Sequence, residues 1–127
     1  MFASDEPLAA LLRDSTAFKD AGDWPSAVAC LYRAKALMLV SPVMYPAESW
    51  CKLPLYLQQA GLLTESMAEF EFLLADLPRR ARHDARIDDP NVLPEASKQR
   101  LYKSLLENDA ETIQLKRALA LKRAAKK

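Results

Sequence analysis

Glycine is nearly absent: Gly22 and Gly61 are the only two in 127 residues. Glycine supplies the positive φ that tight β-turns need, so this scarcity disfavours a turn-rich β architecture. Cys30 and Cys51 are too few for a disulfide framework and show no Cys-x-x-Cys metal spacing, so both are expected as reduced thiols in or near the core. His83 is the one histidine. With no Gly-rich phosphate loop and no evident nucleophile–base cluster, the sequence argues against an enzyme and calls for no cofactor. No apolar run approaches the roughly 20 residues that span a bilayer, and the opening Met-Phe-Ala-Ser-Asp-Glu lacks the basic stretch of a signal peptide. The expectation is a cytoplasmic protein with no membrane contact.

What is abundant is Leu, Ala, Lys, Arg and Glu, residues that lose little rotamer freedom in a helix. Half the residues are hydrophobic and 28% are charged, the balance of an ordinary globular chain, and the length suits one all-α domain over residues 1–127. The net charge of +1 is unevenly spread. Residues 1–74 hold five bases against nine acids, whereas residues 75–127 hold thirteen against eight. Such an asymmetry can steer a partner electrostatically.

Leu8, Leu11, Leu12, Ser15 and Phe18 recur at helical spacing and predict a helix over about 6–21. Gly22 can end it in the left-handed conformation, Asp23 can cap the next helix, and Pro25 is tolerated in a first turn. That second helix should reach about residue 39, and the prolines at 42 and 46 mark a connector. A third helix is expected over 47–60, with Pro54 kinking it or splitting it near Lys52. After Gly61, Thr64 is the expected N-cap of a fourth helix carrying Met67, Phe70, Leu73, Leu74 and Leu77, with Pro78 stopping it or falling just beyond its end. Residues 79–87 read as a basic helical or turn-like segment, and 88–91 as a turn. Pro94 opens a long last helix over 94–125, whose apolar stripe is expected along Leu101, Leu105, Thr112, Leu115 and Leu119, flanked by Tyr102, Leu106 and Ile113.

The two Gly-centred hairpins, 6–39 and 47–78, overlay with a shift of 39 residues. Trp50, Leu53, Leu57, Gly61, Phe70 and Pro78 stand at signature spacings, and the second hairpin thereby resembles the tetratricopeptide repeat. The first resembles it through Leu11, Ser15, Phe18, Gly22, Ala27, Leu31 and Ala34. Asp14 departs from that pattern at a usually apolar position, as do Pro54, Ser66 and Leu73 at small-residue positions. The resemblance implies two helix hairpins in a right-handed array, closed by the last helix as a cap, and a non-enzymatic module that binds a protein.

In that family the first helix of each hairpin lines a concave groove. By resemblance, Ala9, Leu12, Thr16 and Lys19, then Glu48, Cys51, Leu55 and Gln58, would face it. Should the last helix fold into the groove, the same residues would be core. The Lys and Asn arrangement that clamps a C-terminal carboxylate in some members is absent. Arg79, Arg80 and Arg82 add a charged edge that could orient a partner. An adaptor, a chaperone-like carrier, or an inhibitor or immunity protein fits this pattern, as a monomer or homodimer. The alternative is a nucleic-acid-associated protein using the basic C-terminal half, where residues 116–127 hold six bases and no acid; no aromatic accompanies that run. A Cys51–His83 thiolate pair and a calcium site at Asp84, Asp88 and Asp89 are weaker than their plain alternatives, a buried thiol and local ion pairing.

Overall fold

A computed structural model describes residues 6–91 and 94–126. It contains five helices: α1 (Glu6–Asp20), α2 (Trp24–Val40), α3 (Ala47–Gln59), α4 (Leu63–Asp84) and α5 (Glu95–Ala125). Among the described residues there is no strand, and no helix is long and apolar enough to cross a membrane.

Three of these helices end in the same way. At the end of α1 the Asp23 N–H donates to the Phe18 carbonyl (2.8 Å) and Gly22 N–H to Lys19 (2.9 Å), with Gly22 at φ 79°. At the end of α3, Leu62 N–H reaches Leu57 (2.8 Å) and Gly61 N–H reaches Gln58 (3.0 Å), with Gly61 at φ 86°. These paired bonds are the Schellman arrangement, which satisfies carbonyls the helix leaves open and requires a left-handed residue. The end of α4 repeats it with Ile87 bonded to Arg82 and Arg86 bonded to His83, both at 3.1 Å, but the left-handed residue is Arg86 at φ 57°. A side chain there costs about 1–2 kcal/mol that glycine avoids. Asp23 begins α2 as expected, its Oδ1 accepting the Ser26 N–H at 3.1 Å, and this bond holds the Asp23 carboxyl below its ordinary value.

α1 packs along α2 and α3 along α4, while α2 meets α3 and α5 lies against both α3 and α4. Leu8, Leu11, Ala34, Met38, Trp50, Cys51, Phe70, Leu73, Ile113 and Ala120 form one continuous core; a second cluster around Ala27, Leu31, Leu53 and Leu57 fills the other end. Small buried residues set the spacing within the second hairpin: Ser66 is fully buried and its hydroxyl donates to the Pro54 carbonyl at 2.7 Å. Polar fasteners join the hairpins. Lys35 of α2 pairs with Glu69 of α4 at 2.6 Å and lies over the Phe72 ring. Lys52 of α3 donates to the Leu12 carbonyl (3.0 Å) and to Thr16 Oγ1 (2.6 Å) of α1.

Five expectations are corrected. Pro78 does not stop α4, which continues for almost two turns to Asp84. A proline inside a helix costs about 3 kcal/mol, but the turns beyond it bury Arg80, Ala81 and Ala85, and that burial favours continuation. Of the two outcomes expected at Pro54, the split near Lys52 does not occur: α3 is one helix with Pro54 buried inside it. Thr64 is not the cap of α4; Leu62 takes that place with no side-chain cap. The stripe on α5 is rotated, since Ile113 and Ala120 are buried while Leu115 stands 63% exposed. Phe18, expected on the inner face of α1, is 38% exposed.

Phe70 is fully buried, so Phe70→Ala should lower stability by about 3–5 kcal/mol in urea unfolding. Arg86→Gly should raise stability by about 1 kcal/mol, because it relieves the left-handed strain and gives up only an exposed 3.3 Å bond to the Pro42 carbonyl.

Candidate interaction surface

The third helix sits centrally, and its faces divide the expected site residues. Trp50, Leu53 and Leu57 point into the core. Ala47, Cys51, Pro54 and Gln58, spaced three to four apart, form a second buried row. Next round the helix come Glu48, Lys52, Leu55 and Gln59, which are exposed or half-exposed.

Cys51 and Gln58 are therefore withdrawn from the candidate surface: both are buried in this second row. Arg80 and Lys116 act on the Cys51 thiol from α4 and α5, but burial dominates and pushes its pKa up to about 12. Gln58 is 3% exposed and its Oε1 has no hydrogen-bond partner among the described residues. In their place the structure puts Lys52 and Gln59 on the open row. The offset is one helical position, which the spacing in sequence did not distinguish.

From α1, Leu12, Thr16 and Lys19 are half-exposed beside this row, as is Ala9. Leu12 and Leu55 also pack against the core, so each has one side on the interior and one on the surface. Lys19 and Lys52 both approach the Tyr56 ring, at 5.9 and 5.5 Å. Partial burial and the charge of Lys19 hold the Lys52 ammonium below its ordinary value. On α5, Thr112 and Leu119 lie four and three positions from Lys116 and so share its side of the helix.

The arginine edge resolves differently. Arg80 is buried: its guanidinium lies over the Trp50 ring (5.0 Å) and its Nη2 donates to the Leu73 carbonyl (2.7 Å). Its Nε is 3.3 Å from Asp76 Oδ2 without the alignment of a hydrogen bond. Arg80 is thus part of the interior and leaves the candidate set. Arg79 and Arg82 are exposed, and with His83 and Arg86 they line an open depression of about 410 Å³. Three of the four are answered by nearby carboxylates, and Arg86 donates to the Pro42 carbonyl instead. Arg79 makes two bonds to Asp76 (2.7 and 2.8 Å), Arg82 pairs with Asp88 (2.8 Å), and His83 Nδ1 lies 3.0 Å from Asp84. Asp89 adds a further carboxylate to the lining, so the segment that looked basic in sequence is close to neutral in space. His83 and Cys51 do not share a depression, and among the described residues no three potential metal ligands lie together.

No protein-family model, curated protein or solved structure matches this chain.

Alkylation requires the thiolate, and with its pKa near 12 Cys51 is protonated at pH 8. In the folded protein iodoacetamide should leave Cys51 unmodified under conditions that label it fully in urea, as mass spectrometry of the digested protein would show.

Proposed function

We propose that this chain is a non-enzymatic interaction module, built on tetratricopeptide-like hairpins, that holds an amphipathic, acidic segment of a protein partner across α1, α3 and α5. The observation that carries this reading is the pairing of half-exposed leucines with lysines that have no carboxylate partner. Half-exposed Leu12 and Leu55 stand beside Lys52, and half-exposed Leu119 shares the side of Lys116, with the exposed Leu115 next round the helix; neither lysine is in an ion pair among the described residues. Apolar anchors of this kind supply affinity, while unpaired charges at the margin orient and accelerate encounter. The packing of α5 against α3 and α4 supports its role as the cap of a short array, covering an apolar face that a third hairpin would otherwise meet. Adaptor, carrier and inhibitor or immunity roles all use such a surface.

Nucleic-acid binding is the second reading. It is favoured by the last third of α5, where Lys116, Arg117, Lys122, Arg123 and Lys126 have no carboxylate following Glu111. The neutralised arginines at the end of α4 weigh against it, as does the absence of an aromatic side chain among those cations.

Photo-crosslinkable side chains placed at Leu55 and Leu115 should capture a protein in the native host. Leu55→Ser and Leu115→Ser together should reduce recovery of that protein by tenfold or more, on the order expected for losing two apolar anchors, while circular dichroism stays helical. Arg79→Gln with Arg82→Gln should change little. If the arginine changes abolish capture and the leucine changes do not, a phosphate-bearing ligand becomes the better reading, and steep salt dependence of its binding would identify it.

A further inference from the structure

The outer side of the first hairpin, facing away from α3, is an open apolar groove of about 540 Å³. It is lined by Pro7, Ala10, Leu11 and Asp14 of α1 and by Arg33, Ala36 and Leu37 of α2. The two helices are antiparallel neighbours, and they line the groove from opposite sides, with Asp14 on α1 and Arg33 on α2. Helical spacing extends the stripe at both ends, to Phe18 on α1 and to Val40 on α2. Leu37, Phe18 and Val40 are 37%, 38% and 79% exposed. A terminal face of a helical array that ends in water is ordinarily polar. This one carries two charges in its lining, and neither Asp14 nor Arg33 has an ion-pair partner among the described residues.

We propose that this face binds a second copy of the chain, forming a two-fold dimer in which Asp14 of each protomer pairs with Arg33 of the other. The geometry selects the symmetry. A two-fold axis running along the groove keeps every residue at its own height and places α1 of one copy opposite α2 of the other. Because Asp14 lies on α1 and Arg33 on α2 of one groove, that operation turns the α1 carboxylate of each copy toward the α2 guanidinium of the other twice, and it sets the α1 side of each groove against the exposed Leu37 of the other copy. The product is an antiparallel four-helix layer, a packing whose ridges and grooves are complementary. A two-fold axis across the helices would instead oppose α1 to α1 and leave the charges without complementary partners.

The available area indicates a weak dimer. A 15-residue helix is about 22 Å long, and two helices side by side are roughly 20 Å wide. The footprint is then roughly 450 Å² per copy before the ridging of the surface is counted, so the total is near the roughly 1,000 Å² lower limit for specific association. The dimer should therefore be concentration-dependent. It uses none of the residues assigned to the α1–α3–α5 surface, so its test is independent of that assignment.

Sedimentation equilibrium from low to high micromolar protein should show the mass rising from 14.3 kDa toward twice that value. Asp14→Arg and Arg33→Asp, each at an exposed position and each checked for helicity, should weaken association by about tenfold or more, since every single reversal opposes like charges twice. The double exchange, Asp14→Arg with Arg33→Asp, should restore it. A chain that stays monomeric throughout overturns the proposal, as does a dimer indifferent to the single reversals or one that the double exchange fails to restore.

Discussion

The arrangement of the last three helices turns on one buried charge. Arg80 is 4% exposed, and a guanidinium cannot shed its proton to escape an apolar interior. Burial lowers its pKa, and the neighbouring carboxylates of Asp76, Asp109 and Asp84 offset that effect. Its position is tolerable only if α3 supplies the face of Trp50, α4 supplies the Leu73 carbonyl and Asp76, and α5 brings Asp109 close. Those demands fix the far end of α4 against both neighbours. Asp109 bears the reciprocal strain: partial burial raises its pKa, and Asp84 and Glu48 repel its charge.

The same residue explains why α4 outlasts Pro78. Ending the helix there would strand Arg80, Ala81 and Ala85 outside the packing they now complete, and the cost of an internal proline is smaller than that loss. The helix then has to end without a glycine, and Arg86 accepts the left-handed conformation that Gly22 and Gly61 adopt freely. Carried past the proline, α4 presents Arg79 and Arg82 on turns that also hold Asp76 and Asp84, with Asp88 just beyond. The basic character of residues 79–86 in sequence is consequently dissipated by the fold that places them.

Local chemistry was legible in the sequence, and long-range packing was not. Gly22, Asp23, Pro25 and Gly61 each impose a backbone geometry through their own atoms, and the boundaries they mark in α1, α2 and α3 lie within a residue or two of where they were expected. Pro78 also speaks locally, but the burial of the turns beyond it outweighed it. The last helix shows the limit most clearly. Leu101, Leu105, Leu115 and Leu119 are the more apolar row, whereas the buried positions are Ile113 and Ala120, because close approach to α3 and α4 rewards a small side chain as much as a large one. On α3 the open row and the buried row differ by a single helical position, so the choice between Cys51 and Lys52 depended on how the other helices pack around α3. No feature of α3 alone encodes that.

The first helix has three working faces, and their separation has a functional consequence. Leu8, Leu11 and Ser15 are buried between α1 and the rest of the fold, Leu11 at the edge of the open groove. Leu12, Thr16 and Lys19 lie on one side of them, toward α3; Pro7, Ala10 and Asp14 lie on the other, along that groove. Ligands on two faces of one rigid helix do not compete, and coupling between them would require a conformational change that moves both. A dimer formed through the outer face would leave both copies of the proposed α1–α3–α5 surface open on one assembly. For a partner that is itself repeated, the second contact would then be intramolecular and would be strengthened by effective concentration without any new interaction. A weak self-association could in that way sharpen recognition by a surface whose individual anchors are few.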